Sequence, residues 1–547
     1  MRRRIIWTLA AIALAAGVFL FLLAPSAPAR IDTAGWQDLA ARTVAGAYHV
    51  HTARSDGNGD KAAVAAAAAR AGVTFVILTD HGDGTRPPDP PQYLNGVLML
   101  DGVEISTDEG HYVAIDMPRA PYPLGGAAEA VVEDVHRLGG FGIAAHPDSP
   151  KAALRWTDTT APIDGIEWIN ADSEWRDEPR RRLARAGLTY FFRPAGSLAT
   201  LLDRPSTLDR WDGLLRARHV IGLAASDAHG GPGRRAEDQN RTFFSTIGIP
   251  SYEASFRELS VRAVLERPLS GNPSEDARAV YTAIRRGDVF SVIDALASPA
   301  LLDFHGVPSG ATVTMMARAA MPAGTQLVLI GPGGEVARGA GALKVEVPIS
   351  SPGAYRVEGR LAAAPGEPAV PWLVGNASSV GSQTDGLPGI EEPATTRPAP
   401  AAAIPPFPWR IEKDPASRAI LRTRATSVEL EYGLADGPRN SQFVALATDL
   451  RGQAFRAIDL DVLPDRPARI AVQVRSEDGR RWGRSFYVDP GGTAIHADLS
   501  RFRLVGGAPG GVPPSEAVTS ILLVVDLTNS APGRSGRLTV RSSALIK

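Results

Sequence analysis

The chain has 547 residues, of which 44% are hydrophobic and 21% charged, a composition typical of a folded protein with several domains. Its 58 basic and 59 acidic residues give a net charge of -1, which argues against nucleic-acid binding because that usually requires a basic surplus. Cysteine is absent, so disulfides, zinc–thiolate sites, iron–sulfur clusters and cysteine nucleophiles are excluded, and any metal must be bound by His, Asp and Glu.

The first segment has the features of an export signal or a membrane anchor. Three arginines at positions 2–4 precede an uncharged apolar run at 5–23, and small residues follow it at 27–29. The run is long for a cleaved signal and just sufficient to span a bilayer. We therefore expect residues 1–30 to be a signal peptide or an N-terminal anchor with the arginines inside. The rest of the chain is then extracytoplasmic, being periplasmic, secreted or anchored to the membrane.

Strand-like and helix-like segments alternate over residues 36–298. Short apolar runs, such as those at 74–78, 97–100 and 141–145, end in polar clusters, and helical stretches lie between several of them. This alternation predicts an α/β fold with a parallel sheet that is either open or closed into a barrel.

The remaining residues are predicted to form β-structure without long helices. Strand-like segments with Gly and Pro turns predict a small β-sandwich over residues 299–382 and a second β-sandwich over 409–547. The second resembles galactose-binding-like jelly rolls in its strand pattern. Residues 383–408 hold seven prolines with Thr and Ala, which predicts a stiff, extended Pro/Ala-rich linker.

Histidines and carboxylates cluster where the apolar runs of residues 36–298 end. The residues that follow such runs are His49, His81, Glu104, His146 and Asp227. Because the carboxyl ends of parallel strands meet at one face of a sheet or barrel, we expect these side chains to converge. His51 shares one side of a strand with His49. His111 opens a run instead of ending one, so it joins the others only if the chain reverses at 106–110.

Imidazole and carboxylate ligands suit zinc, iron and manganese. The cluster exceeds the four ligands of one tetrahedral site, so it predicts two or three ions that share a bridging carboxylate. Three dications with Asp56, Glu104 and Asp227 would leave a local charge of about +3, which attracts anions and lowers the pKa of bound water to roughly 7. Such a centre suits hydrolysis, with an anionic phosphate ester as its natural substrate.

The order of these motifs resembles the polymerase-and-histidinol-phosphatase (PHP) superfamily, and within it the CehA/McbA-type metallohydrolases. The resemblance covers about residues 42–295 and rests on His49-x-His51, Ser55-Asp56-Gly57, Thr79-Asp80-His81, Val103-Glu104, Ala145-His146-Pro147 and Ser226-Asp227-Ala228-His229. It implies a distorted (β/α)7 barrel with a two- or three-metal centre, followed here by the two C-terminal β-sandwich domains.

The resemblance also implies a role for each candidate ligand. One metal would be held by His49, His51, Glu104 and Asp227, a second by Glu104, His146 and His111, and a third by Asp56, His81 and His229. Asp80 would orient a ligand without binding a metal itself.

The sequence therefore favours an exported metal-dependent hydrolase that is a phosphoesterase. It would use a metal-activated hydroxide at a di- or trinuclear site of Zn, Mn or Fe and act on a small anionic or ester substrate. Hydrolysis of a carbamate, ester or amide by the same centre stays open, because the branch resembled includes a carbamate hydrolase. A non-catalytic protein that binds carbohydrate or the cell envelope is the third hypothesis. Glycan contact is expected only from the C-terminal domain and membrane contact only through the N-terminal segment.

Overall fold

The structure, a computed structural model, describes residues 2–231, 249–381, 407–439, 441–450, 454–506 and 515–547. Two compact units divide the chain. The first consists of Met1–Gly82, Pro88–Met117 and Gly139–Leu387, and the second of Asp83–Pro87, Pro118–Leu138 and Pro388–Lys547. The linker predicted at 383–408 lies outside the described residues except at its last two positions.

The apolar N-terminal segment is helical. Among the described residues, Arg3–Leu23 is the one helix long and apolar enough to cross a membrane, with a mean hydropathy of 2.5 and no buried residue. Length and composition of this kind are shared by signal sequences and membrane anchors.

The other helices of the first unit are mostly short. Helix Lys61–Ala71 illustrates how local sequence sets their ends, because the Asp60 carboxylate accepts the Ala63 N–H at its start and Gly72 ends it with a φ of 78°. The described helices of this unit are Arg2–Leu23, Gln37–Arg42, Lys61–Ala71, Ala171–Arg176, Arg180–Tyr190, Pro194–Ala199, Thr207–Leu215, Tyr252–Glu258 and Pro273–Arg286.

The strands of the first unit confirm the predicted α/β class. They are β1 (Ala29–Arg30), β2 (Thr43–Val50), β3 (Phe75–Leu78), β4 (His81–Gly82), β5 (Gln92–Leu94), β6 (Val97–Asp101), β7 (Val103–Thr107), β8 (Gly110–Ile115), β9 (Phe141–Ala144), β10 (Gly165–Asn170), β11 (Ile221–Ala225), β12 (Ser260–Val264), β13 (Val289–Val292), β14 (Ala297–Ser298), β15 (Leu301–Ser309), β16 (Thr312–Ala320), β17 (Gln326–Gly331), β18 (Gly334–Gly339), β19 (Ala342–Pro348), β20 (Gly353–Arg360), β21 (Leu373–Gly375) and β22 (Ser378–Val380).

Two sheets surround the centre of the first unit. Strands β2, β3 and β6 are parallel in one sheet, and β9, β10 and β11 are parallel in the other. The chain passes directly from the first sheet into the second between β3 and β4 and again between β6 and β7. A bridge between Val50 and Ala228 links β2 to the segment after β11. These connections place the ends of strands from both sheets close together.

The parallel arrangement predicted from the sequence is interrupted at several places. Strand β5 is antiparallel to β6, and β12 is antiparallel to both β2 and β13. The interruption nearest the candidate ligands is at β8. Strand β8 is antiparallel to both β7 and β9. The physical reason is the short turn between β7 and β8, because a parallel pair needs a crossover of about a dozen residues or more. The core packed inside these strands includes Phe75, Leu98, Val113, Phe141 and Leu223.

The segment predicted as a small β-sandwich shares a sheet with the preceding region. Strands β15, β16 and β19 form one antiparallel sheet. Strands β17, β18, β20 and β21 belong to another, which continues through the β21–β13 pairing to β12 and β2. Residues 299–381 and the region before them are therefore parts of one compact unit.

The second unit is rich in β-structure, as the sequence predicts for this part of the chain. Its strands are β23 (Arg410–Lys413), β24 (Arg418–Arg424), β25 (Ser427–Gly433), β26 (Phe443–Asp449), β27 (Ala457–Pro464), β28 (Ala468–Ser476), β29 (Arg481–Val488), β30 (Thr493–Asp498), β31 (Arg503–Leu504), β32 (Val518–Asp526) and β33 (Ser535–Ile546). They form two antiparallel sheets in the orders β23-β26-β32-β28-β29-β31 and β24-β25-β33-β27-β30. Trp409 and Trp482 are buried in their hydrophobic core. The described residues of this part also form two 3-10 helices, Leu499–Arg501 and Ser515–Ala517.

Helix Ala128–Arg137 also belongs to the second unit, although the sequence assigns it to the region 36–298. Arg469 on β28 donates two hydrogen bonds to Asp134, from Nε at 2.8 Å and from Nη2 at 2.9 Å, and both side chains are buried. Tyr122 and Arg137 each donate to the same carboxylate at 2.8 Å. Burial raises the pKa of Asp134, but the guanidinium groups of Arg469 and Arg137 outweigh burial and lower it. This network joins residues 118–138 to the sheet.

Loss of Arg469 is expected to destabilise the second unit. The Arg469→Ala change removes two of the charged bonds to a buried carboxylate, which costs about 3–5 kcal/mol of unfolding free energy. Urea unfolding measures the loss of unfolding free energy, and hydrogen exchange of the amides in β28 and β32 assigns that loss to the second unit. The matched control is Arg541→Ala, which breaks a half-exposed 2.7 Å pair with Asp461 and should cost below about 1 kcal/mol. Equal losses in the two variants would contradict the role given to the network.

Candidate metal centre

Nine predicted ligands come together at the strand ends of the first unit. Five overlapping groups of three residues include all nine, and within each group the donor atoms lie within 4.8 Å of one another. The groups are His49, His146 and Asp227; His49, His51 and Glu104; His51, Asp227 and His229; His51, Asp56 and His81; and His81, Glu104 and His111.

Glu104 on β7 is the hub of the cluster. One carboxylate oxygen, Oε2, lies 3.3 Å from His49 Nε2, 3.2 Å from His51 Nε2 and 3.2 Å from His81 Nδ1. The other oxygen, Oε1, lies 2.7 Å from His111 Nδ1 and 2.8 Å from His146 Nε2. The two oxygens thus face two different sets of imidazoles, which is the arrangement expected of a carboxylate that bridges two ions.

Two aspartates complete the cluster on either side of His51. Asp227 Oδ1 lies 3.3 Å from His51 Nε2 and 3.5 Å from His49 Nε2. Asp56 Oδ2 lies 3.5 Å from His81 Nε2 and 3.3 Å from His229 Nε2. The side chains of His81 and Asp56 are 36% and 27% exposed, whereas Glu104 is almost wholly buried. The cluster is therefore open to solvent on the side of Asp56 and His81.

Backbone strain is concentrated at this cluster. Only five described residues other than glycine have a positive φ, and three of them are His49 at 61°, His146 at 31° and Asp227 at 44°. Each such residue costs about 1–3 kcal/mol and persists only where its surroundings enforce it. The enforcement is visible at Ser226, whose hydroxyl donates to the carbonyls of Tyr48 and His49 at 3.0 Å each. Strain of this kind is typical of functional sites.

The reversal that His111 requires is present. Ser106 pairs with His111 and Thr107 with Gly110 across the β7–β8 hairpin, so His111 lies near Glu104. Gly110 adopts a φ of 117°, and a Cβ at this position would lie 2.4 Å from the carbonyl oxygen of Arg155. Glycine is therefore required at this turn.

The cluster strongly favours positive charge at its centre. Burial lowers the pKa of His51, but hydrogen bonds to Asp227 and Glu104 outweigh it and raise that pKa to about 10. Burial raises the pKa of Glu104, yet the surrounding imidazoles, His81 and His49 foremost, hold it well below its ordinary value. Buried carboxylates of this kind need compensating cations. Six imidazoles and three carboxylates fit borderline divalent transition ions better than magnesium or calcium, which prefer oxygen ligands alone.

Glu167 on β10 is a residue of the site that the sequence analysis missed. Glu167 is fully buried. Its Oε1 accepts a 2.6 Å hydrogen bond from His49 Nδ1, and its Oε2 accepts a 2.7 Å hydrogen bond from the backbone N–H of His146. Asn170 donates to the same Oε2 at 2.9 Å. The first bond fixes the His49 tautomer and leaves Nε2 free to face the centre. The available signal was a lone carboxylate within a strand that is buried at every position.

Glu167 also changes the electrostatics expected from the sequence. With its charge included, three dications would leave a local charge of about +2 instead of about +3.

Asp80 lies beside the cluster and holds the loop between two of its members. The N–H and hydroxyl of Thr52 and the hydroxyl of Ser55 each donate to Asp80 at 2.7 Å. This loop connects His51 to Asp56, so Asp80 fixes the path of the chain between two candidate ligands.

Loss of the Glu167 charge is expected to weaken metal binding. The Glu167→Gln change should raise the dissociation constant for the ions about 10–100-fold. The amide has no negative charge to strengthen the bond from His49, and its one oxygen cannot accept from both His49 Nδ1 and the His146 backbone N–H. Competition with a chromogenic chelator measures the change. Glu174→Gln is the matched control, because burial raises the pKa of Glu174 to about 8 and the amide replaces a carboxyl that is already neutral near pH 7. Unchanged affinity in Glu167→Gln would contradict the orienting role.

No family model matches this chain, and no curated protein matches it. Among solved structures, a two-domain protein from Bacteroides vulgatus containing a predicted PHP-like metal-dependent phosphoesterase is 14% identical, covering 61% of this chain and 93% of its own, with a TM-score of 0.29. A family 11 carbohydrate-binding module from Clostridium thermocellum is 17% identical, covering 25% of this chain and 86% of its own, with a TM-score of 0.21. A module described as TmCBM61, solved with β-1,4-galactotriose, is 9% identical, covering 25% of this chain and 88% of its own, with a TM-score of 0.18. Scores of this size carry no argument about fold or function.

Proposed function

We propose that this protein is an exported metal-dependent hydrolase whose substrate is a phosphoester. The observation that carries the proposal is the position of Glu104, a buried carboxylate with imidazoles on both of its oxygens. Asp56 and Asp227 extend this arrangement to further histidines. The motif order supports assignment to the PHP superfamily and its CehA/McbA-type branch. The strand arrangement around the cluster is consistent with a (β/α)7 barrel distorted by the antiparallel strands β8 and β12.

The proposed ligand sets follow the motifs and the distances together. His49, His51, Glu104 and Asp227 would hold one ion, Glu104, His111 and His146 a second, and Asp56, His81 and His229 a third. Two or three bound ions would lower the pKa of water to roughly 7 and stabilise the charge on a phosphoryl group. The chain itself orients His49 through Glu167 and holds the His51–Asp56 loop through Asp80.

With three ions bound, the charge of the cluster favours a phosphate ester over a neutral carbamate, ester or amide. Even with Glu167 counted, three ions would leave a surplus of about +2, which attracts an anionic substrate to the open side near Asp56 and His81. Access from solvent on that side agrees with the exposure of these two side chains.

The decisive experiment combines metal content with a substrate panel on the purified full chain in detergent. We expect about two to three transition-metal ions per chain and turnover of phosphate esters in preference to carbamates, carboxylic esters and amides. Asp227→Ala should lose turnover, whereas Asp209→Ala, which changes an exposed helix residue, should retain it. A metal-free folded protein would overturn the assignment. Turnover restricted to carbamates or esters would keep the centre and replace the substrate.

A further inference from the structure

One helix of the first unit exposes large apolar side chains next to the N-terminal helix. Phe191 is 74% exposed and Leu188 is 57% exposed. Outside the N-terminal helix, Phe191 is the one aromatic among the exposed large hydrophobic residues of the described chain. Phe191 keeps helical backbone angles at the end of helix Arg180–Tyr190, so the three-residue spacing places it beside Leu188 on one face. Together they form an exposed apolar patch, and such patches can mark protein or membrane contacts.

The same helix carries exposed arginines. Arg181 and Arg185 lie four residues apart and continue the face of Leu188, and Arg180 is also exposed. None of these three guanidinium groups has a hydrogen bond or ion pair among the described residues. The nearby Arg182, in contrast, is paired with Glu178 and Asp203. An amphipathic helix with basic residues beside Leu and Phe has the composition of helices that lie in a membrane interface.

Contacts with the N-terminal helix fix the depth of this face relative to a bilayer that the helix would span. The rings of Phe21 and Phe192 meet edge to face with centroids 6.1 Å apart. The Arg193 guanidinium lies 5.7 Å from the centroid of the Phe21 ring. Phe21 is two residues from the end of the apolar helix at Leu23, a distance of about 3 Å along the axis. If the helix spans a bilayer, Phe21 and its neighbours lie at the outer boundary of the hydrocarbon region.

We propose that Leu188 and Phe191, with Arg180, Arg181 and Arg185, form a second membrane contact beside the N-terminal helix. Leu188 and Phe191 enter the boundary between headgroups and acyl chains, and the arginines bind lipid phosphates. The contact requires that the N-terminal helix is retained as an anchor. It holds the hydrolase unit against the bilayer instead of leaving it on a free tether, and so goes beyond the activity proposed above.

The absence of cysteine makes a direct test possible, because a single introduced cysteine can be spin-labelled in the full chain. Phe191→Cys reports on the proposed contact. Glu266→Cys is the control, since Glu266 is 82% exposed in the same unit and lies outside the face. Both proteins are reconstituted in vesicles of phosphatidylcholine and phosphatidylglycerol. Collisions of the label with oxygen, which enters lipid, and with a nickel chelate, which stays in water, are measured by electron paramagnetic resonance.

We expect the label at 191 to collide mainly with oxygen and the label at 266 mainly with nickel. Changing Arg181→Glu and Arg185→Glu together should move the 191 label towards water in vesicles containing phosphatidylglycerol. Equal nickel collision rates at 191 and 266 would overturn the proposal. Spin–spin broadening at 191 that disappears on dilution with unlabelled protein would assign the face to a second copy of the chain. A purified protein whose intact mass lacks the N-terminal helix would also overturn it.

Discussion

Replacing Glu104 by Gln is expected to lower kcat/KM by about 1,000-fold or more and to remove at least one bound ion, because metal ions supply several kcal/mol of transition-state stabilisation. The amide keeps the size of the side chain but lacks the negative charge and one of the two acceptor oxygens. Since Oε1 faces His111 and His146 while Oε2 faces His49, His51 and His81, one side of the cluster must lose its carboxylate ligand. Steady-state kinetics on the phosphate-ester panel and elemental analysis of the same sample measure both effects.

The control for this change is Glu275→Gln, which alters a half-exposed carboxylate in the first turn of helix Pro273–Arg286, where it pairs with the exposed Arg267. It should keep the wild-type metal content and turnover. Full metal content together with full turnover in Glu104→Gln would show that Glu104 is not the bridge. Full metal content with lost turnover would separate its role in the reaction from its role in binding.

The candidate ligands could be predicted from the sequence because the topology of the strands brings them together. His49, His146 and Asp227 each follow or end a short buried strand, and parallel strands place such positions at one edge. His111 required the additional inference of a reversal, which the turn before Gly110 provides. Residue type and strand-end position were therefore sufficient for these side chains.

Features that depend on pairing between distant segments could not be predicted from local sequence patterns. Glu167 lies inside a buried strand and bonds to His49, which is 118 positions away, so its local pattern resembles that of any core strand. Asp134 is paired with Arg469, 335 positions away, and this pair assigns its helix to the second unit. Similarly, the β13–β21 pairing that joins the small β-region to the preceding sheet leaves no local signal in either segment.

Strain and buried charge at the cluster have a common consequence for stability. His49, His146 and Asp227 adopt unfavourable backbone angles, and Glu104 and Glu167 are carboxylates removed from solvent. Both costs fall on the folded state and reduce its stability in the absence of compensation. Divalent ions that bind only the folded chain offset these costs through mass action. The first unit should therefore depend on metal in a way that the second unit does not.

Chelation is expected to destabilise the first unit by about 4 kcal/mol when the free ion had been about 1,000-fold above its dissociation constant. Hydrogen exchange followed by mass spectrometry resolves the two units in one sample. Amides of β2 and β11, which lead into the cluster, should exchange faster after chelation and recover when zinc or manganese is returned. Strands β28 and β32 of the second unit serve as the internal control and should keep their rates.

The Arg469→Ala variant provides the reciprocal control, because it should accelerate exchange in β28 and β32 without changing β2 and β11. Equal acceleration of both units on chelation would indicate global unfolding or a metal site outside the cluster. A chelated protein that loses turnover while β2 and β11 keep their rates would contradict the proposed coupling, since the strained backbone at His49 and Asp227 would then be stable without ions. Loss of turnover, loss of protection and loss of bound ions should therefore follow one titration curve with chelator.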